Sequence, residues 1–211
     1  ASGVIYARDG ANVLTFSSWT EYAQSSYFLA KGKRCGTDRV MPQLYSTGVA
    51  PVALQADCTS TFTNPAAAYA PTVAAYRIPV VVHVLMNTSG QGAISDALIQ
   101  SQIAILNEDF KALAGTPGAP GTNTAIEFYL AGVTRTTDYN WFNDTGTYYS
   151  TLAWDTNNYL NIYTNTAGGN LGYAYVPNGG GVVGNTFDRV VILWNAFGRN
   201  APIGAPYNQG R

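Results

Sequence analysis

The chain has 211 residues, of which 46% are hydrophobic and 11% charged, with a formal net charge of −1. That length fits one domain plus an appended segment, and the apolar share is enough for a real core. The near-neutral balance argues against a nucleic-acid partner, and no apolar run approaches the roughly 18 residues a membrane helix needs. Charged residues fall well below the usual quarter while Tyr (15) and Gly (22) are abundant, a polar but uncharged surface more typical of secreted proteins. The opening ASGVIYARDG has neither a basic n-region nor an apolar h-region, so a signal peptide is expected either to have been removed or never to have been present.

Residues 1–47 mix polar and aromatic side chains, with a short strand over Val13–Phe16 and a weak helix over Glu21–Leu29. Gly48–Pro71 is rich in Ala, Pro, Thr and Ser and reads as an extended linker. The globular part starts near Ala75. Ile78–Leu85 is almost continuously apolar, as in a strand buried on both faces. Ser95 suits a helix N-cap and Asp96 its first turn. Beyond them Ile99, Ile103, Leu106, Phe110 and Leu113 draw one apolar stripe. Gly115–Gly121 is a loop. Ile126–Val133 alternates as a strand, with Ile126, Phe128 and Leu130 on one face. Tyr139–Tyr149 reads as surface loop, with a helical turn to Trp154. Three more strands are expected at Tyr159–Tyr163, at Leu171–Val176, ended by Pro177, and at Arg189–Trp194, which is apolar on both sides. One clear helix cannot cover such a sheet on both faces, so the fold is expected to be incomplete, or to borrow a layer from elsewhere.

Few residues carry chemistry. The single histidine, His83, lies in the middle of the first strand and cannot alone build a triad or a His-rich metal site; it reads as a buried, hydrogen-bonded imidazole. Gly179–Gly184 matches G-x-G-x-x-G, but a strand rather than a helix is expected to follow, so it reads as a loop. Glu108, Asp109 and Glu127 show no spacing that singles out a glycosidase pair. Cys35 lies among Lys31, Lys33, Arg34 and Arg39, a setting that favours the thiolate, and Gly36 permits a close backbone approach. It is either a thiolate metal ligand or half of a Cys35–Cys58 disulfide worth about 3 kcal/mol, and spacing alone favours the disulfide. Asn87-Thr88-Ser89 and Asn143-Asp144-Thr145 are formal glycosylation sequons.

Taken in order, RIPVVVHVL, GAISDALIQSQIAILNEDF, IEFYLAGVTRTT, LNIYTNTAGGNLGYAYVP, DRVVILWNAFG and APYNQGR resemble the pappalysin family of zinc metallopeptidases, a branch of the metzincins. The match runs from Arg77 to Arg211. The resemblance implies an α/β (α+β) fold, the upper subdomain of a metzincin. Its parts would be a twisted five-stranded mixed sheet with an antiparallel edge strand, a backing helix, and an extended pro-segment before them. Residues 1–76 would be the pro-segment and residues 77–211 the incomplete upper subdomain. Substrate would add to the edge strand at Leu171, Gly172, Tyr173 and Ala174. Cys35, in its RCGT stretch, resembles the family's cysteine switch, whose thiolate takes the zinc's open position. This favours the switch over the disulfide and leaves Cys58 to pair with a cysteine outside the chain.

In that family the stretch matching Ala205–Arg211 leads into an H-E-x-x-H-x-x-G-x-x-H zinc helix and a methionine-bearing turn, which these residues do not include. No catalytic residue is therefore expected in this chain, and alone it should not hydrolyse peptides. The implied protein is a secreted zinc endopeptidase proenzyme, its partners the C-terminal half with the zinc helix and a protein or peptide substrate, with no nucleic acid and no membrane. Activation cleavage is expected in Ala66–Arg77. Zinc would polarise the scissile carbonyl and lower the pKa of a bound water whose proton a glutamate takes. Calcium is a further candidate, although Asp138, Asp144 and Asp155 show no ligand spacing. The alternative is a secreted non-catalytic binding module that has lost the zinc helix, with the loops Tyr139–Tyr149 and Asn157–Tyr163 as its contact surface.

Overall fold

A computed structural model of the chain describes residues 4–31, 33–37, 40, 75–175, 182 and 184–211. Cys58, the linker Gly48–Pro71 and most of the glycine loop at 178–184 lie outside the described residues, as does most of the expected cleavage segment.

The centre is β3 (Tyr76–Met86), whose continuous apolar run is buried on both faces from Val80 to Leu85. Each of its valines gains roughly 1.5–3 kcal/mol by leaving water. It pairs in parallel with β4 (Ile126–Thr137) on one side and β5 (Leu160–Asn165) on the other. β7 (Arg189–Leu193) adds in parallel to β5, and β6 (Gly172–Ala174) closes the far edge antiparallel to β7. The order β4-β3-β5-β7-β6 is thus a five-stranded mixed sheet with one antiparallel edge. The expected fourth strand, Leu171–Val176, is shorter: β6 spans three residues, and Val176 and Pro177 are outside the described set.

β4 departs from plain alternation at one bulge. Leu130 pairs with Val80 and Gly132 with Val81, so Ala131 is the extra residue. The apolar face therefore runs Ile126, Phe128, Leu130 and then Val133. A side chain at Gly132 would collide with the Trp154 indole, 2.6 Å from where its Cβ would lie.

The backing helix α3 (Asp96–Phe110) begins as its sequence dictates: the Ser95 side chain accepts from Leu98 N–H, and Asp96 sits in the first turn. Ile99 and Ile103 are buried against Val80, Val82, Val84 and Ile162. The expected stripe runs out beyond them. Leu106 is half-buried while Phe110 and Leu113 are exposed, and Gln102 and Ile105 are buried instead. The burial of Gln102 is specific: its Nε2 donates to Gly210 O and its Oε1 accepts from Gly198 N–H, so it carries the chain back across the helix.

The opposite face of the sheet is covered by the segment expected to be surface loop. It forms α4 (Tyr139–Phe142) and α5 (Tyr148–Leu152), with Phe142 only 3% and Tyr148 only 1% exposed. Tyr148 stacks edge-on to Tyr163 of β5 in a cluster that includes Leu85, Val191 and Leu193. The second layer over the centre of the sheet therefore comes from within the chain. The deficit that the sequence implied is narrower than the whole sheet. Val191 and Leu193 of β7 are buried, but Val190 and Ile192, on the α3 side, remain half-buried.

Ahead of the linker, β1 (Ile5–Asp9) and β2 (Asn12–Phe16) form an antiparallel hairpin, followed by α1 (Trp19–Gln24) and α2 (Ser26–Ala30). The weak helix expected over Glu21–Leu29 is broken at Ser25, which ends α1 and caps α2, while Ser18 caps the start of α1. They dock on the far end of the sheet. Tyr22 donates to Gly169 O at 2.7 Å, Gln24 to Ala205 O at 3.2 Å, and fully buried Phe28 packs on Tyr207.

Candidate active-site edge

β6 is the antiparallel edge of the sheet, and residues Lys33–Thr37 already lie along it. Leu171 N–H donates to Lys33 O (3.0 Å) and Gly36 N–H to Gly172 O (2.8 Å). Ala174 N–H donates to the Thr37 hydroxyl at 3.2 Å. Cys35 and Gly172 form a parallel bridge. These bonds use edge groups that would otherwise template another strand. Two glycines make the approach possible. A Cβ at Gly36 would stand 2.8 Å from Asn170 Nδ2, and one at Gly172 would stand 2.9 Å from Val191 O. The four positions carried from the sequence, Leu171, Gly172, Tyr173 and Ala174, thus lie together on one edge. Thr37 was missed, since a threonine two residues past a cysteine carries no signal until its hydroxyl is seen to replace a backbone acceptor.

Cys35 is an exposed, free thiol, with its Sγ 3.4 Å from the Thr37 hydroxyl. Cys58, the other half of the disulfide favoured on spacing, lies outside the described residues. Counting residues between cysteines measures loop length, whereas pairing Lys33–Thr37 with β6 decides where the thiol goes. It lines a groove of about 520 Å³, with Val190 and Ile192 of β7, Gln102 of α3, Ala196 and Tyr207 among the walls. This is the place where β7 lacks cover on the α3 side.

No other residue joins the thiol as a metal ligand: among the described residues no group of three or more His, Cys, Asp or Glu converges. His83 is fully buried, its ring stacked on Tyr163 with centroids 4.5 Å apart. Its Nε2 faces Asn161 Oδ1 at 2.9 Å, an atom that also accepts from Trp154 N–H, while Asn161 Nδ2 donates to Trp154 O and Tyr159 O. Asn161 is therefore fixed as an acceptor, Nε2 of His83 carries the proton, and Nδ1 accepts from the Thr134 hydroxyl at 2.8 Å. Burial holds this imidazole below its ordinary pKa, against the smaller opposing pull of Asn161.

The loop carboxylates are likewise committed. Asp138 caps α4 through Trp141 N–H, Asp155 accepts from Asn157 and Asn158, and Asp144 accepts from Tyr148, Tyr173 and Asn165. Among the described residues they converge on no cluster of three or more metal-ligating side chains. Glu108 and Asp109 hold Arg211, Glu108 also holds Arg199, and Glu127 holds Lys111. These carboxylates are ion-pair anchors.

No family model matches the chain. It is 31% identical over 150 residues to an extracellular metalloprotease of Pyricularia oryzae, covering 68% of this chain and 47% of that one. To an extracellular metalloprotease of Verticillium alfalfae it is 33% identical over 119 residues, covering 54% and 38%. The chain is thus a relative of extracellular metalloproteases and spans about half the length, or less, of the curated relatives it matches. Among solved structures, mature mirolysin of Tannerella forsythia in complex with a cleaved peptide is 38% identical with a TM-score of 0.52, over 65% of this chain and 59% of that one. A promirolysin mutant of the same organism is 30% identical with a TM-score of 0.50, over 90% and 62%. The fold is the metzincin-like one of mirolysin, and the match to the proform reaches beyond the part shared with the mature enzyme. Among the described residues no helix is long and apolar enough to cross a membrane.

Proposed function

We propose that the chain is the pro-segment and upper subdomain of a secreted zinc metalloendopeptidase of the pappalysin type, kept latent by Cys35. Residues 1–76 act as the pro-segment and residues 77–211 as the upper half of the catalytic domain. The observation that carries the reading is the position of Cys35. It is a free, exposed thiol bridged to the edge strand at Gly172, on the rim of the groove where β7 is only half-covered on the α3 side. The groove beneath Val190 and Ile192 has an apolar floor beside α3, which suits a second helix laid next to the first. The C-terminal half of the longer protein would supply that helix together with the histidine ligands.

In this reading Leu171, Gly172, Tyr173 and Ala174 bind a peptide substrate as an added strand, through the same groups that Lys33–Thr37 now occupies. The segment blocks substrate by taking those hydrogen bonds, and the Cys35 thiolate takes the metal position that a water needs. Zinc, when bound, supplies Lewis-acid polarisation of the scissile carbonyl and a water of lowered pKa. Activation is cleavage ahead of β3, within Ala66–Arg77.

The test is the longer protein with its zinc helix, assayed on a peptide library as wild type and as Cys35→Ser. The wild type should be latent until cleaved, whereas uncleaved Cys35→Ser, which keeps the segment on β6 but loses the thiol, should hydrolyse peptides measurably and gain further activity on cleavage. Equal latency in both would remove Cys35 from the mechanism. No hydrolysis by either after removal of residues 1–76 would leave a non-catalytic binding module as the better description.

A further inference from the structure

β6 is a weak element by itself. It has three residues, one strand partner, and a glycine at its start. An edge that must present fixed hydrogen-bonding groups needs something else to hold it. That something lies on the opposite face of the sheet. The central residue, Tyr173, is 7% exposed and sends its hydroxyl to Asp144, at 2.9 Å from Oδ1 and 3.1 Å from Oδ2. The same carboxylate accepts from Tyr148 OH at 2.7 Å and from Asn165 Nδ2 at 3.1 Å. One carboxylate thus gathers three donors, each bond charge-assisted. Burial keeps both phenols protonated, so each remains a donor.

Asp144 is itself held rigidly. It follows α4 with a positive φ of 60°, its N–H donating to Trp141 O. α4 is tied to β5 by Thr166 N–H to Phe142 O and by Asn165 Nδ2 to Trp141 O. A chain of short bonds therefore runs from the middle of the sheet through Asp144 to the ring of Tyr173, and from there to the backbone of the edge.

We propose that Asp144 is a positioning residue for the edge strand: by clamping the Tyr173 hydroxyl from the far face of the sheet it fixes Gly172 O and Ala174 N–H, the groups that Gly36 and Thr37 occupy here. The consequence for substrate rests on the reading of β6 given above, but the clamp itself does not.

Amide hydrogen exchange on the 211-residue protein tests it. Tyr173→Phe and Asp144→Ala should speed exchange over Gly172–Ala174 by roughly ten- to a hundred-fold, the worth of one hydrogen bond to a charged group, with β3 and β5 amides unmoved. Asp144→Asn keeps one acceptor oxygen and should recover most of the protection. Unchanged exchange in β6, or an equal rise in every strand, would overturn the clamp. Peptide hydrolysis by the longer protein, freed of its pro-segment, separates the two readings. A loosened β6 should raise KM for extended peptides more than it lowers kcat. A loosened β6 with KM unchanged would keep the clamp and take β6 out of the substrate path.

Discussion

His83 shows what a single buried side chain does to stability. Its ring is neutral, with one nitrogen donating to Asn161 and the other accepting from Thr134. Because burial lowers its pKa in the folded chain, the unfolded chain binds the proton first as pH falls. The contribution is therefore fully present above the ordinary histidine pKa near 6.5, declines as pH drops below it, and levels off beneath the folded value. Denaturant unfolding at stepped pH from 8 to 5 should show a falling midpoint that His83→Gln flattens. A midpoint equally steep in both proteins would assign the loss to other groups. That His83 would be buried was legible, because it interrupts an apolar run in mid-strand. Its partners were not, because they lie 51 and 78 residues away and reach it only through sheet pairing. Cys35 teaches the same lesson: its sequence neighbours pointed to a reactive thiol, but its place beside Gly172 of the edge strand came only from tertiary pairing.

At the scale of elements, α3 and β3 were the most legible because each satisfies its local rules and its tertiary role at once. Ile99 is fully buried beneath β3 and Ser95 caps the helix. Ile99→Ala should cost roughly 2–5 kcal/mol, and Ser95→Ala about 1 kcal/mol. Urea unfolding measures both; equal small losses would mean that α3 is not the backing element of the core. Tyr139–Tyr149 was misread as surface loop for an identifiable reason, while the helical turn expected towards Trp154 is present as α5. The misread segment's apolar residues are Tyr139, Trp141, Phe142, Tyr148 and Tyr149, interleaved with Asn, Asp, Thr and Gly, so no period marks the buried face. Phe142 and Tyr148 are buried by their contact with β5, not by any repeat. β6 was placed correctly but drawn too long, since aromatic alternation over Leu171–Tyr175 continues after pairing with β7 has ended.

At the scale of the molecule, the centre of the sheet is covered on both faces, while Val190 and Ile192 of β7 are only half-covered on the α3 side, and that is where the thiol sits. The apolar strand Arg189–Leu193 revealed in sequence that cover was missing; only the packing revealed how little. A hairpin and two short helices, pinned by Tyr22, Gln24 and Phe28, carry Lys33–Thr37 onto the edge. In the proposed proenzyme, latency therefore has a non-covalent anchor as well as a thiol.

The most direct measurement is the intact mass and zinc content of the protein isolated from its natural source. A polypeptide that carries the H-E-x-x-H helix, joined to this chain or bound to it, with about one zinc per molecule, is the expected result. A lone 22.5 kDa species without zinc would contradict it.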